Sequence, residues 1–236
     1  MTAATSPLAS FVSSSIGKKI LVALTGAILV IFLLGHMIGN LLVFVGPQAI
    51  NEYGHLLQSS LHGAGVWIAR VVIFGSIILH VVLTVQLTKA NRAARASRYG
   101  FEATQVASKS SRTMILSGLT ILAFFIYHIL HFTVRAFHGF GTAKYETQID
   151  GHKAHNVYQM VIDGFSWFPA SAFYIIAMAL LCSHLSHGVA SLFQTLGLNT
   201  DKTAPLFKKL GWAYALLILI GNCSIPVAIY FFGYGR

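Results

Sequence analysis

Five long apolar runs decide what this chain can fold into. They fall near residues 20–44, 66–88, 113–136, 168–194 and 207–232. At a helical rise of about 1.5 Å per residue, each is long enough to cross a hydrocarbon layer of roughly 30 Å. Only 9% of the 236 residues are charged, against about 25% in a soluble domain. The expectation is an all-α membrane protein, with residues 1–236 forming a single membrane domain of five transmembrane helices. Its length leaves no room for a second, soluble domain. Lys18 and Lys19 precede more than twenty apolar residues, too many for the roughly 7–15 of a cleavable signal, so the first run reads as a retained anchor.

The formal charge of +10 raises the question of nucleic acid, and its distribution answers it. Lys18, Lys19, Lys89, Arg92, Arg95, Arg98, Lys109, Arg112, Lys202, Lys208 and Lys209 all flank one side of the five spans. Arg70, Arg135, Lys144, Lys153 and Arg236 flank the other. This asymmetry is the positive-inside pattern, which predicts a cytoplasmic N-terminus and an outer C-terminus, with no nucleic-acid partner. The basic face suits anionic lipid or a docked protein. Cys182 and Cys223 both lie within spans and read as small packing residues.

Along the chain, residues 1–17 form a Ser/Ala-rich lead-in. In the first outer connection Ile50, Tyr53, Leu56 and Leu57 recur at helical spacing, predicting a short surface helix. The second span has room to extend beyond Thr88 into the basic loop. Residues 137–167 read as a long outer loop. Pro169 suits the first turn of the fourth span and Gly197 its stop. Pro226 predicts a kink in the fifth. No repeat of the kind found in two-halved transporters stands out.

Titratable side chains are costly in lipid-solvated helices and mark function by default. His36, His80, His128 and His184 each sit inside one of the first four spans. Counted from the flanking charges, His36 and His128 lie roughly 25 Å and 24 Å from the cytoplasmic boundary. His80 and His184, on helices running the other way, lie about 14 Å and 15 Å deep. Spans I and III thus carry an outer pair and spans II and IV an inner pair, offset by on the order of 10 Å. A neutral imidazole binds iron through one nitrogen while the other donates to a nearby acceptor. Two such pairs in a four-helix core suggest axial ligands for two b haems, and bis-His ligation favours electron transfer over oxygen chemistry. A single such histidine can equally be a helix–helix hydrogen bonder. Spans III and IV also read "YHILHF" and "SHLSHG", so His131 and His187 share a helix face with His128 and His184. Spacing alone does not choose within either doublet.

The segment "SSSIGKKILVALTGAILVIFLLGHMIGNLLVF", followed by "NEYG" and later by "HLSHGVASLFQTLGLN", resembles the dihaem cytochrome b membrane subunit of succinate:quinone oxidoreductases, of the cytochrome b558 type. The likeness covers nearly the whole chain and is weakest over 137–167. It implies ligation by His36 in "GHMIGN", His80 in "ILHVV", His128 in "YHILHF" and His184 in "SHLSHG", pairing I with III and II with IV. It implies two haem b cofactors and a quinone, often menaquinone. It also implies a bacterial cytoplasmic (inner) membrane as the location. The partners it implies are a succinate dehydrogenase flavoprotein and an iron–sulfur subunit, which this chain anchors. Dicarboxylate chemistry lies in those subunits; this one reduces the quinone, and fumarate reductases of the type run backwards.

On that reading, haem propionates need donors. His131, His187, Ser14, Ser15, Lys18 and Lys19 are candidates, with Arg70, Arg135 or His138 at the outer end. A quinone site needs a proton relay and carbonyl partners, for which Asn40, Glu52, Tyr53 and His55 stand out, with Asn51 and His62 nearby. Asn40 and Asn51 can equally cap helices. Gly26, Gly35, Gly39, Gly75 and Gly118 allow close approach of a helix or a flat macrocycle. Two rival readings remain: a cytochrome b serving another quinone-linked dehydrogenase, and a haem-free transporter whose histidines relay protons or bind a metal.

Overall fold

A computed structural model describes residues 6–94 and 113–236. Five of its helical stretches are long and apolar enough to cross a membrane. A short helix α1 (Pro7–Ser13) turns into α2 (Ser15–Leu41), whose start is capped by the Ser14 hydroxyl accepting from the Gly17 amide at 2.9 Å. α2 tightens into a 3₁₀ turn at Leu42–Phe44. Gly46, at φ +134°, then admits α3 (Pro47–Ser59), with proline in its first turn. Leu61, His62 and Gly63 all take positive φ, which reverses the chain into α4 (Ala64–Ala93). The predicted surface helix and the extension of the second span are therefore both present. Arg95, Arg98, Lys109 and Arg112 lie outside the described residues.

The third span is α5 (Met114–His128), continued by a π-helical turn at Ile129–Thr133. Residues 137–167 differ from the expected loop. They hold a hairpin of β1 (Glu146–Ile149) and β2 (His152–His155), then α6 (Val157–Ser166). The hairpin pairs antiparallel around Asp150–Gly151, both at positive φ, as a two-residue turn requires. α7 (Phe168–Thr195) carries proline in its first turn and stops at Gly197, φ +76°. α8 (Ala204–Phe232) runs on as one helix through Pro226.

α7 is the centre of the bundle. It packs along α8 and also against α2 and α5, while α2 packs on α4. Gly211 of α8 faces the Ser186 carbonyl so closely that a Cβ there would lie 2.6 Å from it. Small residues at such crossings supply the van der Waals contact that holds helices together in lipid. Met37, Cys182, Leu185, Ala215 and Ile218 bury together at the α2–α7–α8 junction. Both cysteines are free, as their packing role predicts. α4 and α5 meet only sparsely, with Phe74 and Phe125 touching across the gap at 5.4 Å.

The outer cap is tied down by two asparagines. Asn51 on α3 accepts from the Tyr158 amide at 2.9 Å and donates to Asn156 Oδ1 at 3.2 Å. Asn156 in turn caps α6 by accepting from the Gln159 amide at 3.0 Å. One buried side chain thus satisfies an orphan amide of a helix one hundred residues away.

Candidate functional site: paired histidines in the bundle cavity

A cavity of about 1520 Å³ runs through the bundle between α2, α4, α5 and α7. A site for one small molecule usually measures about 300–1,000 Å³, so this one has room for more. Its rim at the start of α2, the inner side in the expected topology, carries Lys19 and Gln194, and its rim beside α3, the outer side, Tyr53, Gln58, Arg70, Arg135 and His155. His36, His80, His128 and His184 all line it.

The inner pair is held by two matching devices. On α2, Thr25 Oγ1 donates to the backbone carbonyl of Leu21 at 2.8 Å, or of Val22 at 3.1 Å. With its proton spent there, its oxygen accepts from His80 Nδ1–H at 3.2 Å. His80 Nδ1 also lies 3.1 Å from the Val22 carbonyl, which can only accept. His80 is therefore the Nδ1–H tautomer, and its Nε2 keeps a bare lone pair. On α5, Ser117 Oγ donates to the Met114 carbonyl at 3.1 Å and accepts from His184 Nδ1–H at 3.3 Å. With the Ser117 proton on that carbonyl, His184 carries its own on Nδ1 and its Nε2 is bare.

Each hydroxyl is followed by a glycine that makes room for the ring. A Cβ on Gly26 would lie 3.4 Å from His80 Cε1, and one on Gly118 3.5 Å from His184 Cε1. Each glycine is followed, ten residues on, by an outer histidine: Thr25-Gly26 leads to His36, and Ser117-Gly118 to His128. α2 and α5 thus repeat one pattern. His80 sits beside Thr25 and His184 beside Ser117, so the levels lie about 16 Å apart along either helix. Counting from flanking residues gives a smaller offset, because it takes the ends of the four helices to be level.

At the outer level His36 and His128 meet edge to face, with ring centroids 5.6 Å apart. Phe32 stacks on His36 at 5.5 Å. His128 Nδ1 lies 3.1 Å from the Tyr174 hydroxyl of α7. These neighbours are aromatic, and no hydroxyl–glycine pair serves here.

The other candidates divide sharply. His187 lines the cavity. His131 does not; it is fully buried among Tyr127, Phe132, Phe137 and Phe140, with Nδ1 3.2 Å from the Tyr174 hydroxyl. Lys19 reaches the inner rim, whereas exposed Ser15 and half-buried Lys18 are not part of the lining, and Ser14 is committed to its cap. Asn40 and Tyr53 line the cavity, although Asn40 Nδ2 donates to the His36 carbonyl at 2.8 Å. Glu52 and His55 face elsewhere: Glu52 accepts from Gln48 at 2.7 Å on the exposed side of α3, and His55 stacks on His152 of the hairpin. His138 is exposed beside Trp167. Gly39 makes room for the Tyr53 ring, while a Cβ at Gly35 or Gly75 would meet nothing within 4 Å.

The outer mouth is cationic. Arg135, at φ +61°, donates from Nη1 to His155 Nδ1 at 3.1 Å, and His155 Nε2–H then faces Met160 Sδ at 3.2 Å. Burial, and then the charge of Arg135, pull the His155 pKa down to about 4, so this histidine is neutral near pH 7. Burial and neighbouring Arg70 also lower that of Arg135. Neither arginine has a carboxylate partner among the described residues. Two half-buried guanidinium groups at a cavity mouth without an acid make an anion-binding arrangement.

Thr25, Ser117, Tyr174 and His155 were not singled out from sequence. The repeated hydroxyl–glycine step ahead of a histidine was the available signal for the first two. Among the described residues no group of three or more His, Cys, Asp or Glu is placed to hold a metal ion. No protein-family model, no curated protein and no solved structure matches this chain.

Proposed function

We propose that the chain is a dihaem cytochrome b, the membrane anchor of a succinate:quinone oxidoreductase. The carrying observation is the two-level histidine pairing, with both inner imidazoles pinned through Nδ1 and bare at Nε2. That donor set fits the axial demands of two b haems, and the cavity has volume for them, with Gly26 and Gly118 in its lining beside the inner rings. His80 and His184 would hold the inner haem, and His36 and His128 the outer. Each group supplies reversible one-electron transfer when bound.

The chain's own residues do the rest. Lys19 offers the inner rim a cation for propionates, and Arg70 and Arg135 serve the outer rim. Asn40 and Tyr53 offer hydrogen bonds to a quinone beside the outer level. Lys89 and Arg92 at the end of α4 suit the docking of the iron–sulfur subunit, with the flavoprotein beyond it. The charge asymmetry supports a multi-pass arrangement in a bacterial cytoplasmic membrane, with the N-terminus inside. The resemblance of the four histidine motifs favours this reading over another quinone-linked dehydrogenase or a haem-free transporter.

Visible redox titration of the purified complex tests it. Two separable b-type transitions are expected, and none would overturn the reading. His36→Ala or His128→Ala should remove one haem, and His80→Ala or His184→Ala the other. Full haem content in all four variants would refute the assignment.

A further inference from the structure

The Tyr174 hydroxyl sits between two histidine nitrogens, His128 Nδ1 at 3.1 Å and His131 Nδ1 at 3.2 Å. It owns one proton. Two orderings satisfy all three atoms. In one, His128 Nδ1–H donates to Tyr174, and Tyr174 donates to His131 Nδ1. In the other, both bonds reverse. A third, with both rings donating to Tyr174, strands the phenolic proton in an apolar cluster. The tautomer of His131 is thus locked to that of His128.

The remaining nitrogen of His131 adds a second observation. His131 is fully buried, and its Nε2 is the one buried side-chain atom without a partner among the described residues. A polar atom left so is costly unless its ring has a task. The local backbone serves the same end. The π turn at Ile129–Thr133, closed by the Val134 amide on the Ile129 carbonyl at 2.8 Å, widens the helix just after His128. Such turns concentrate at functional sites.

We infer that Tyr174 and His131 are positioning residues for His128, acting in series. This rests on the proposed ligand role of His128. A ligand bound through Nε2 must carry its proton on Nδ1, which selects the first ordering. Tyr174 then accepts from His128 because His131 takes the phenolic proton. His131 therefore steers the outer ligand without touching the cavity. The inner histidines need no such chain, since Thr25 and Ser117 spend their protons on backbone carbonyls. Tyr174 and His131 are the outer counterpart of those hydroxyls.

The test uses the purified complex, with potentials and low-spin electron paramagnetic resonance as readouts. Wild type, Tyr174→Phe, His131→Leu, His131→Asn and the double variant Tyr174→Phe/His131→Leu are compared. Tyr174→Phe and His131→Leu should each raise the potential of the transition that His36→Ala abolishes, leaving the other in place. Loss of such a hydrogen bond should also weaken haem retention at that level by about tenfold. His131→Asn puts a carbonyl oxygen near the Nδ1 position and should restore the wild-type potential. The double variant should add nothing to Tyr174→Phe. Unchanged transitions, equal shifts of both haems, or failure of Asn to rescue would overturn the inference. If one single variant does not accumulate, the other decides. Absence of haem from wild type would refute the functional reading itself, and two transitions that ignore these variants would refute only this step.

Discussion

The two histidine levels solve one problem in different ways. At the inner level, each imidazole is fixed by the adjacent helix with a two-residue device: a hydroxyl whose proton is already spent, then a glycine that admits the ring. At the outer level, His128 meets the phenol of Tyr174 on α7, and the cavity mouth is bordered by His155 of the hairpin and Met160 of α6. The inner arrangement is repeated on two helix pairs; the outer one occurs once, at His128. All three supports are hydroxyls on a neighbouring helix; Thr25 and Ser117 also bond their own backbone, whereas Tyr174 lies between two histidines.

This contrast can be broken most forcefully at the glycines. On the proposed dihaem reading, Gly26→Leu or Gly118→Leu should push His80 or His184 out of place and abolish the inner haem, while the outer one persists; absorbance per chain reads this. If both haems vanish together, the levels are not independent. Thr25→Val and Ser117→Ala are milder. Each leaves an Nδ1–H without its acceptor and should cost about 10–100-fold in haem retention at the inner level. Thr25→Val should cost less, because the Val22 carbonyl remains.

The outer cap should be distinguished by its pH response. Its folded-state pKa lies below the ordinary value, so neutral His155 contributes stability that is present above about 6.5. That contribution declines as the pH falls towards about 4. Hydrogen-exchange protection over residues 146–155, relative to the intrinsic rate at each pH, should fall as the pH drops across that window, and a His155→Gln variant should lose the dependence. Asp163 adds a lower window. Burial alone would raise its pKa, but donation from Lys144, Tyr145 and Gln159 reverses this and holds it below the usual carboxylate range. The smallest effect belongs to Lys153, whose ion pair with Glu146 at 2.8 Å is largely exposed. Lys153→Ala should leave the melting temperature unchanged within error.

The inner level was nearly readable from the chain. Apolar run length gave the five spans, and Pro169 and Gly197 marked helix ends where the backbone needs them. The depth pairing and Gly26 and Gly118 were in view, but a glycine's neighbour is a fact of packing. The outer level was less legible. Asp150–Gly151 is a hairpin signal, yet the strands beside it, ETQI and HKAH, are too short and too polar to announce themselves. Nothing in "YHILHF" reveals a π turn, because that depends on what the widened helix can reach. Glu52 drew attention as an acid in the right connection, but the phase of α3 turns it away from the cavity.

The alternation of levels has a consequence for biosynthesis. His36 and His80 enter the membrane first, on consecutive spans, yet they belong to different pairs. The outer pair is complete when the third span arrives with His128, but Tyr174 follows only at the start of the fourth. The inner pair waits for His184, about ten residues later in that same span. The last support of the outer level and the last member of the inner pair therefore arrive on a single helix, α7, and a chain truncated before it should lack the inner pair.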